Sequence, residues 1–211
     1  MKRTLTVVPP ADILTILIIG LAGWVYTSDI HQFIDVKLFD ESYYLASGLA
    51  APRGLPRAEQ APLYALWYYL LSLIKHDSIE LAYFNYRVMT VLPAAALFAA
   101  LRVTGVPRVF SLWLSLWLLL SSANFPIWPK VSHFALVVLL LGVIGAGLSQ
   151  NRTVRIAILT VACLAASYAR PELFLSALLF GLVFILVLPN QIKSEGLKSV
   201  LPLTGVSPSY A

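Results

Sequence analysis

Six apolar stretches separated by short polar segments run along this 211-residue chain and predict helices that cross a membrane. A bilayer core about 30 Å thick needs roughly twenty apolar residues per upright helix. The fold class predicted is therefore an all-α, polytopic transmembrane bundle, with residues 1–211 forming a single domain. The predicted spans run from Val8 to Tyr26, Leu81 to Leu101, Val109 to Phe125, Ser132 to Leu148, Ile156 to Tyr168 and Pro171 to Leu188.

The fifth and sixth predicted spans share one apolar block, which only Arg170-Pro171-Glu172 interrupts. The block could form a tight hairpin or one long kinked helix. The hairpin is favoured, because proline is well tolerated in a first helical turn and a buried ion pair in mid-membrane is not.

A long polar loop, residues 28–80, separates the first two predicted spans, and a tail follows at 189–211. Within the loop, Phe39 to Ala51 predicts a short helix, with acids in its first turn where the helix dipole favours them. Pro62 to Ile74 is apolar but too short to span upright, so it predicts a second helix lying at the membrane surface. Its aromatic residues suit an interface, with rings half buried and polar atoms wet: Tyr64, Trp67, Tyr68 and Tyr69.

The composition supports a membrane protein and gives it an orientation. Hydrophobic residues make up 59% of the chain and charged residues 12%, about half the charge of a soluble domain. With the N-terminus cytosolic, the cytosolic side holds eight basic against two acidic residues, and the opposite side seven against eight. Basic residues concentrate on the cytosolic side, so the net charge of +5 indicates membrane topology and not nucleic-acid binding. We expect a multi-pass protein of the bacterial inner (plasma) membrane. Removal of the N-terminal segment as a signal peptide would upset this distribution and is disfavoured.

Few residues suggest metal or redox chemistry. Cys163 is the single cysteine, so no internal disulfide is possible and a packing role is expected. His31 and His76 lack the spacing of a zinc site, and no metal site is predicted. Asp35, Asp40 and Glu41 could hold a divalent cation as a cofactor, and the sequence leaves that question open.

Two motifs in the long loop suggest a family: Phe39-Asp40-Glu41-Ser42-Tyr43-Tyr44-Leu45-Ala46, then Ala61-Pro62-Leu63-Tyr64-Ala65-Leu66-Trp67. The chain resembles the C-type (GT-C) glycosyltransferase superfamily, in the branch of protein O-mannosyltransferases and lipid A aminoarabinose transferases. Further matches are Arg87 near the start of the second predicted span, the loop from Pro126 to His133, and the stretch from Tyr168 to Glu172. The resemblance covers roughly residues 10 to 190. Members usually have more spans, so the chain resembles an N-terminal part only: a truncated product, half of a split enzyme, or a reduced paralogue.

The resemblance implies transfer of a sugar from a polyprenyl-phosphate donor to an acceptor at the extracytoplasmic face. Such chemistry needs a base for the acceptor proton and cations for the departing phosphate. Asp40 is the candidate base, and Glu41 is the second catalytic candidate, which could support Asp40 or bind the acceptor or a cation. The candidate substrate-binding residues are Arg87, Arg170, Lys130, His133, Tyr44 and Tyr64. The alternative interpretations are that Asp40 only caps a helix and that the basic residues only anchor the chain at lipid headgroups.

Expected partners are the polyprenyl-phosphate donor, membrane lipids and a second chain that supplies missing spans, with no nucleic acid. A second function class stays open: a non-catalytic small polytopic protein such as a transporter or assembly factor. Such proteins usually place ionisable groups deep within their spans. The third, fourth and sixth predicted spans offer only hydroxyls and glycines there, for example Ser115, Gly142, Gly145 and Gly181, which disfavours this class.

Overall fold

A computed structural model gives the architecture and describes residues 9–32, 39–54, 56–57, 60–121, 130–179, 181–183 and 185. All regular structure among these residues is helical, which confirms the all-α prediction. The helices are α1 (Pro10–Tyr26), α2 (Phe39–Leu49), α3 (Pro62–Ser72), α4 (Ser78–Val103), α5 (Arg108–Leu120), α6 (Val131–Leu148) and α7 (Arg152–Ser167). An apolar helical segment, Pro171–Val183, follows α7 and starts with a 3₁₀ turn, Pro171–Leu173.

Three of these helical regions are long and apolar enough to cross a membrane: Pro10–Gln32, Ser78–Val103 and Val131–Leu148. They correspond to the first, second and fourth predicted spans. Arg108–Leu120 and Pro171–Val183 are apolar but shorter, and α7 has 16 residues. The ends of the third and sixth predicted spans and the tail 189–211 lie outside the described residues.

Both short helices predicted in the long loop are present, as α2 and α3, and each ends two residues before the predicted boundary. Asp40 and Glu41 occupy the first turn of α2, as expected. Pro62 stands at the first position of α3, where its missing N–H costs no helical hydrogen bond. The two helices pack against each other, and both contact α4.

Helix α4 is the centre of the bundle, because α1, α5 and α6 all pack against it. Asp77 starts this helix by accepting hydrogen bonds from the backbone N–H groups of Ile79 and Glu80, both at 2.9 Å. The helix therefore begins three residues before the predicted Leu81. As a consequence Arg87 does not open the span but lies in its third turn.

A buried carboxylate joins three helices at one end of the bundle, called here the Asp12 end. Asp12 of α1 is 3% exposed and accepts from Nε of Arg102 in α4 at 2.9 Å and from Nε of Arg108 in α5 at 2.7 Å. Arg102 also donates to the carbonyl of Val106 at 2.6 Å. Two guanidinium groups thus compensate a carboxylate that would otherwise be costly to bury.

The region around Arg170 is a hairpin, as favoured from the sequence. Helix α7 ends at Ser167, and the next helical segment begins at Pro171. A β-carbon placed on Gly181 would lie 3.8 Å from Cγ2 of Thr160 in α7. The two segments can lie side by side at this level only if the chain reverses direction between them.

Candidate functional site

The two adjacent acids of α2 have opposite surroundings. Asp40 is exposed, whereas Glu41 is 9% exposed and points into the bundle. Successive residues of a helix are turned by about 100°, so one can face outward while the other is buried. Glu41, Tyr64, Tyr68, Asn85 and Lys130, which meet here, are called the Glu41 cluster. The end of the bundle that holds them is called the α2–α3 end.

The Glu41 carboxylate receives hydrogen bonds from three other helical regions. Oε1 accepts from the hydroxyls of Tyr64 at 2.6 Å and Tyr68 at 2.5 Å, both in α3, and lies 3.0 Å from Nδ2 of Asn85 in α4. Oε2 accepts from the backbone N–H of Lys130, which immediately precedes α6, at 2.9 Å. Both oxygens of the carboxylate therefore have hydrogen-bond donors from the protein, three near Oε1 and one near Oε2.

The two tyrosines are suited to act as permanent donors. Both are 0% exposed, and burial, with a further contribution from the negative charge of Glu41, raises the pKa of each hydroxyl well above its usual value. The hydroxyls therefore keep their protons across the physiological range. Their edge-to-face contact, with ring centroids 5.3 Å apart, fixes the two rings relative to each other.

Asn85 completes the cluster from the second turn of α4. Its Nδ2 lies 2.8 Å from each tyrosine hydroxyl as well as near Glu41, and its two hydrogens can serve two of these three acceptors at a time. Its Oδ1 accepts from the indole N–H of Trp67 at 2.8 Å. The side chain is 1% exposed, so its polar atoms are compensated inside the protein.

Lys130 brings a second ionisable group to the cluster. Its side chain is 0% exposed, and Nζ lies 4.2 Å from the centre of the Tyr86 ring. Burial lowers the pKa of Lys130 to about 7, and the negative charge of Glu41 acts in the opposite direction. Lys130 was predicted to bind substrate, and its backbone N–H does lie at the Glu41 cluster. Its side chain, however, is enclosed by the protein.

The expectation that the aromatic residues of α3 keep their polar atoms in water is wrong for three of them. Tyr64 and Tyr68 donate to Glu41, and Trp67 donates to Asn85. The reason is their spacing, since residues 64, 67 and 68 share one face of a helix. That face is turned toward α2 and α4 and not toward the surface.

Tyr44 and Arg170 lie beside the cluster on its exposed side. The Tyr44 ring packs edge to face on Tyr64, with centroids 5.3 Å apart. Burial, followed by the charge of Asp40, raises the pKa of Tyr44, whereas the charge of Arg170 acts to lower it. Arg170 is 42% exposed and forms a loose ion pair with Glu172 at 3.5 Å. Asp40 and Arg170 are therefore each close enough to Tyr44 to act on its hydroxyl.

Arg87 is not part of this group. Its guanidinium donates to the carbonyl of Trp24 at 2.8 Å and lies 3.8 Å from the centre of that ring, so it connects α4 to α1. Residues 85 and 87 are turned by about 200° on a helix, which explains why Asn85 faces the cluster and Arg87 faces away.

His133 lies one turn into α6 from Lys130, and its Nδ1 is buried without a hydrogen-bond partner among the described residues. Within the same part of the chain, no group of three or more His, Cys, Asp or Glu side chains could hold a metal ion. Asp35, one of the three acids considered for a divalent cation, lies outside the described residues.

Asn85 was missed by sequence reasoning, and a signal for it exists. A lone amide side chain in the second turn of a long apolar helix is costly to bury unless it has hydrogen-bond partners. Polar residues at such positions often indicate a functional site. Tyr68 was assigned to the membrane interface and not to the site, because its partner Glu41 lies 27 residues away in the chain.

Comparison with protein-family models, with curated proteins and with solved structures finds no match to this chain.

Proposed function

We propose that this chain is a membrane glycosyltransferase, or a part of one, that transfers a sugar from a polyprenyl-phosphate donor to an acceptor at the extracytoplasmic face. The observation that carries the proposal is the contrast between Asp40 and Glu41. Glu41 is buried and accepts hydrogen bonds from the protein at both of its oxygens, whereas the adjacent Asp40 is exposed. The charges of Asp40 and Arg170 both act on the hydroxyl of Tyr44. An accessible carboxylate and a partly exposed guanidinium beside one tyrosine are the groups that this chemistry needs.

The proposed reaction is a displacement at the anomeric carbon of the donor sugar. Asp40 accepts the proton of the acceptor hydroxyl while the oxygen of that hydroxyl forms a bond to the anomeric carbon. The bond between that carbon and the phosphate oxygen breaks, and its electron pair stays on the phosphate. Arg170 offers hydrogen bonds to the phosphate oxygens as their charge develops. Arg87 is bound to Trp24, so it is the weaker candidate for phosphate binding.

The finer membrane arrangement belongs to the same proposal. In it, α5, α7 and the segment Pro171–Val183 add three spans to the three long apolar helices, and α2 and α3 lie at the extracytoplasmic surface. A second chain would supply the further spans that members of the superfamily usually have. The bacterial inner membrane is the proposed location.

A transfer assay in nanodiscs with a panel of polyprenyl-phosphate sugars tests the proposal. Asp40→Asn keeps the size of the side chain but removes the base, so we expect the transfer rate to fall by about 10² to 10⁴. Thermal unfolding should change little, because Asp40 is exposed. Glu80→Gln is the matched control. Glu80 is likewise an exposed acid, and among the contacts described its side chain pairs only with the half-exposed Lys75.

Two outcomes would contradict the proposal in different ways. If Asp40→Asn transfers sugar at the wild-type rate, the base has been wrongly assigned. If the wild-type protein binds no donor of the panel, alone or with a partner chain, the transporter or assembly-factor class becomes the better interpretation.

A further inference from the structure

The hydrogen bonds of the Glu41 cluster connect α2, the helix that carries Asp40, to its neighbours. This suggests that Glu41 has a structural role and takes no direct part in the reaction. We propose that Glu41 is a positioning residue, whose carboxylate holds the first turn of α2 against α3, α4 and the start of α6 and so fixes the place of Asp40. The inference rests on the proposed transferase function, because it concerns the residue proposed there as the base.

The hydrogen bonds of Glu41 argue against a direct part in proton transfer. Three donors lie within hydrogen-bond distance of Oε1 and one of Oε2, so protein groups already occupy both oxygens of the carboxylate. Glu41 is 9% exposed, and the side chains that donate to it are 0 to 1% exposed, so little of the carboxylate is open to a substrate. A base must come within hydrogen-bond reach of the proton that it takes, and Asp40 can do so where Glu41 cannot.

The inner face of α2 shows why this one carboxylate matters. Among the α2 residues whose burial is described, 40–49, the buried ones are Glu41, Leu45 and Gly48, spaced by four and three positions on one face. Gly48 approaches α3 so closely that a β-carbon would lie 2.4 Å from Cβ of Tyr68. Leu45 and Gly48 belong to the later turns, and Glu41 is the buried residue of the first turn among the side chains of α2 that the structure describes, so we infer that it holds this turn and Asp40 with it.

The partners of Glu41 come from three places far apart in the chain. Tyr64 and Tyr68 are in α3, Asn85 is in α4, and the Lys130 N–H precedes α6. A rigid scaffold behind a catalytic group keeps it in a reactive geometry, and a displacement of 1 Å can cost about 10²-fold in rate. Loss of Glu41 should therefore lower kcat by about this factor without changing the KM for the donor.

Distance measurements between spin labels test the fastening without relying on activity. The background is Cys163→Ala, with labels at Ala46→Cys on the exposed side of α2 and at Ile79→Cys on the exposed start of α4. We expect Glu41→Gln to broaden the distance distribution in nanodiscs. Tyr68→Phe, which keeps the carboxylate and removes one donor, should broaden it less and is the variant to use if Glu41→Gln does not fold. Asp40→Asn and Glu172→Gln, both at exposed acids, should leave the distribution unchanged.

The second arm measures kcat, KM and rescue by a small carboxylate. Formate can replace a missing base, so it should restore part of the activity of Asp40→Ala but none of Glu41→Ala. Broadening together with a loss of kcat supports the positioning role. An unchanged distribution in Glu41→Gln, or rescue of Glu41→Ala by formate, overturns it. A third outcome separates the two proposals: the wild-type protein transfers no sugar, but Glu41→Gln still broadens the distribution. The transferase proposal and the effect of Glu41 on catalysis then fail. The structural role of Glu41 in holding α2 is still established.

Discussion

At the scale of single residues, the neighbouring acids Asp40 and Glu41 differ in their surroundings although they share one helical turn. Glu41 is enclosed by two hydroxyls, an amide and a backbone N–H, whereas Asp40 faces outward. Hydrogen bonds to a buried charged group are among the stronger ones in proteins, because the alternative is a carboxylate without solvent. Single substitutions in the cluster should therefore have measurable effects on stability.

The first prediction at this scale concerns Tyr68. Tyr68→Phe removes one donor from the buried Glu41 carboxylate and leaves the packing of the ring almost unchanged. We expect the free energy of unfolding to fall by about 1 to 3 kcal/mol, measured by denaturant titration in detergent. Tyr43→Phe is the control, since Tyr43 is exposed on the same pair of helices and should change stability little. Equal stability of Tyr68→Phe and Tyr43→Phe would contradict the hydrogen bond to Glu41.

The second concerns pH and Lys130. Burial lowers the pKa of Lys130 from an ordinary value of 10.5 to about 7 in the folded protein. Between about pH 7 and the unfolded value, the unfolded chain binds a proton that the folded protein does not, so stability rises with pH in this window. Below pH 7 both states are protonated, and this dependence disappears.

Thermal unfolding in detergent at pH 7 and pH 9 measures the effect. Wild-type protein should melt at a higher temperature at pH 9, with a slope in the free energy of unfolding of up to about 1.4 kcal/mol per pH unit. Lys130→Met should remove the slope, and Lys75→Met, at a half-exposed surface lysine, should keep it. Persistence of the full slope in Lys130→Met would show that another group is responsible.

At the scale of elements, the pair formed by α2 and α3 depends on a close approach at Gly48. A β-carbon at Gly48 would lie 2.4 Å from Cβ of Tyr68 and 2.8 Å from the backbone oxygen of Ala65, and neither can move without shifting α3. Since Tyr68 also donates to Glu41, a shift of α3 disturbs the cluster.

We therefore predict that Gly48→Ala destabilises the protein, by about 1 to 3 kcal/mol as for other overpacked sites. The matched control is Gly20→Ala in α1, where no atom lies within 4 Å of the added carbon. That change should be neutral or slightly stabilising, because alanine favours a helix by up to about 1 kcal/mol over glycine. Melting temperatures of the two variants in the same detergent provide the comparison, and equal values would contradict the tight contact between α2 and α3.

At the scale of the whole molecule, the two ends of the bundle agree with the division of charges read from the sequence. Asp12, Arg102 and Arg108 were assigned to one side of the membrane, and they meet at one end. Glu41 and Lys130 were assigned to the opposite side, and they meet at the other end. A backbone hydrogen bond of 3.2 Å from Leu63 to Tyr168 adds the end of α7 to that same α2–α3 end.

Which end faces the cytosol is a separate prediction, based on the excess of basic residues at the Asp12 end. In the Cys163→Ala background, single cysteines introduced at Arg57 and at the exposed Thr104 can be labelled with a membrane-impermeant reagent in intact cells. We expect labelling at position 57 and protection at position 104, and reporter fusions after Gly105, Asn151 and Lys198 should be cytosolic. Labelling at position 104 with protection at position 57 would show the opposite orientation, with the proposed site away from the extracytoplasmic face.

The sequence by itself determined the helical class, the long apolar helices α1, α4 and α6, the positions of α2 and α3, and the turn at Arg170. These features depend on local information: runs of apolar residues, prolines at helix starts, and acids in a first turn. Counting the predicted spans also placed Asp12, Arg102 and Arg108 on one side without any knowledge of contacts, and these three residues meet at one end of the bundle.

Only the tertiary structure decided which acid is buried, which tyrosines donate hydrogen bonds to it and which groups each arginine contacts. Glu41 meets partners 23, 27, 44 and 89 residues away in the chain, and no local pattern encodes such pairings. Asp40 and Glu41 have nearly the same local sequence environment, but a rotation of about 100° along the helix places one outside and one inside. Arg87 and Asn85 differ in the same way on α4. The physical reason is that periodicity defines the faces of a helix, whereas the packing of neighbouring helices determines which face is enclosed.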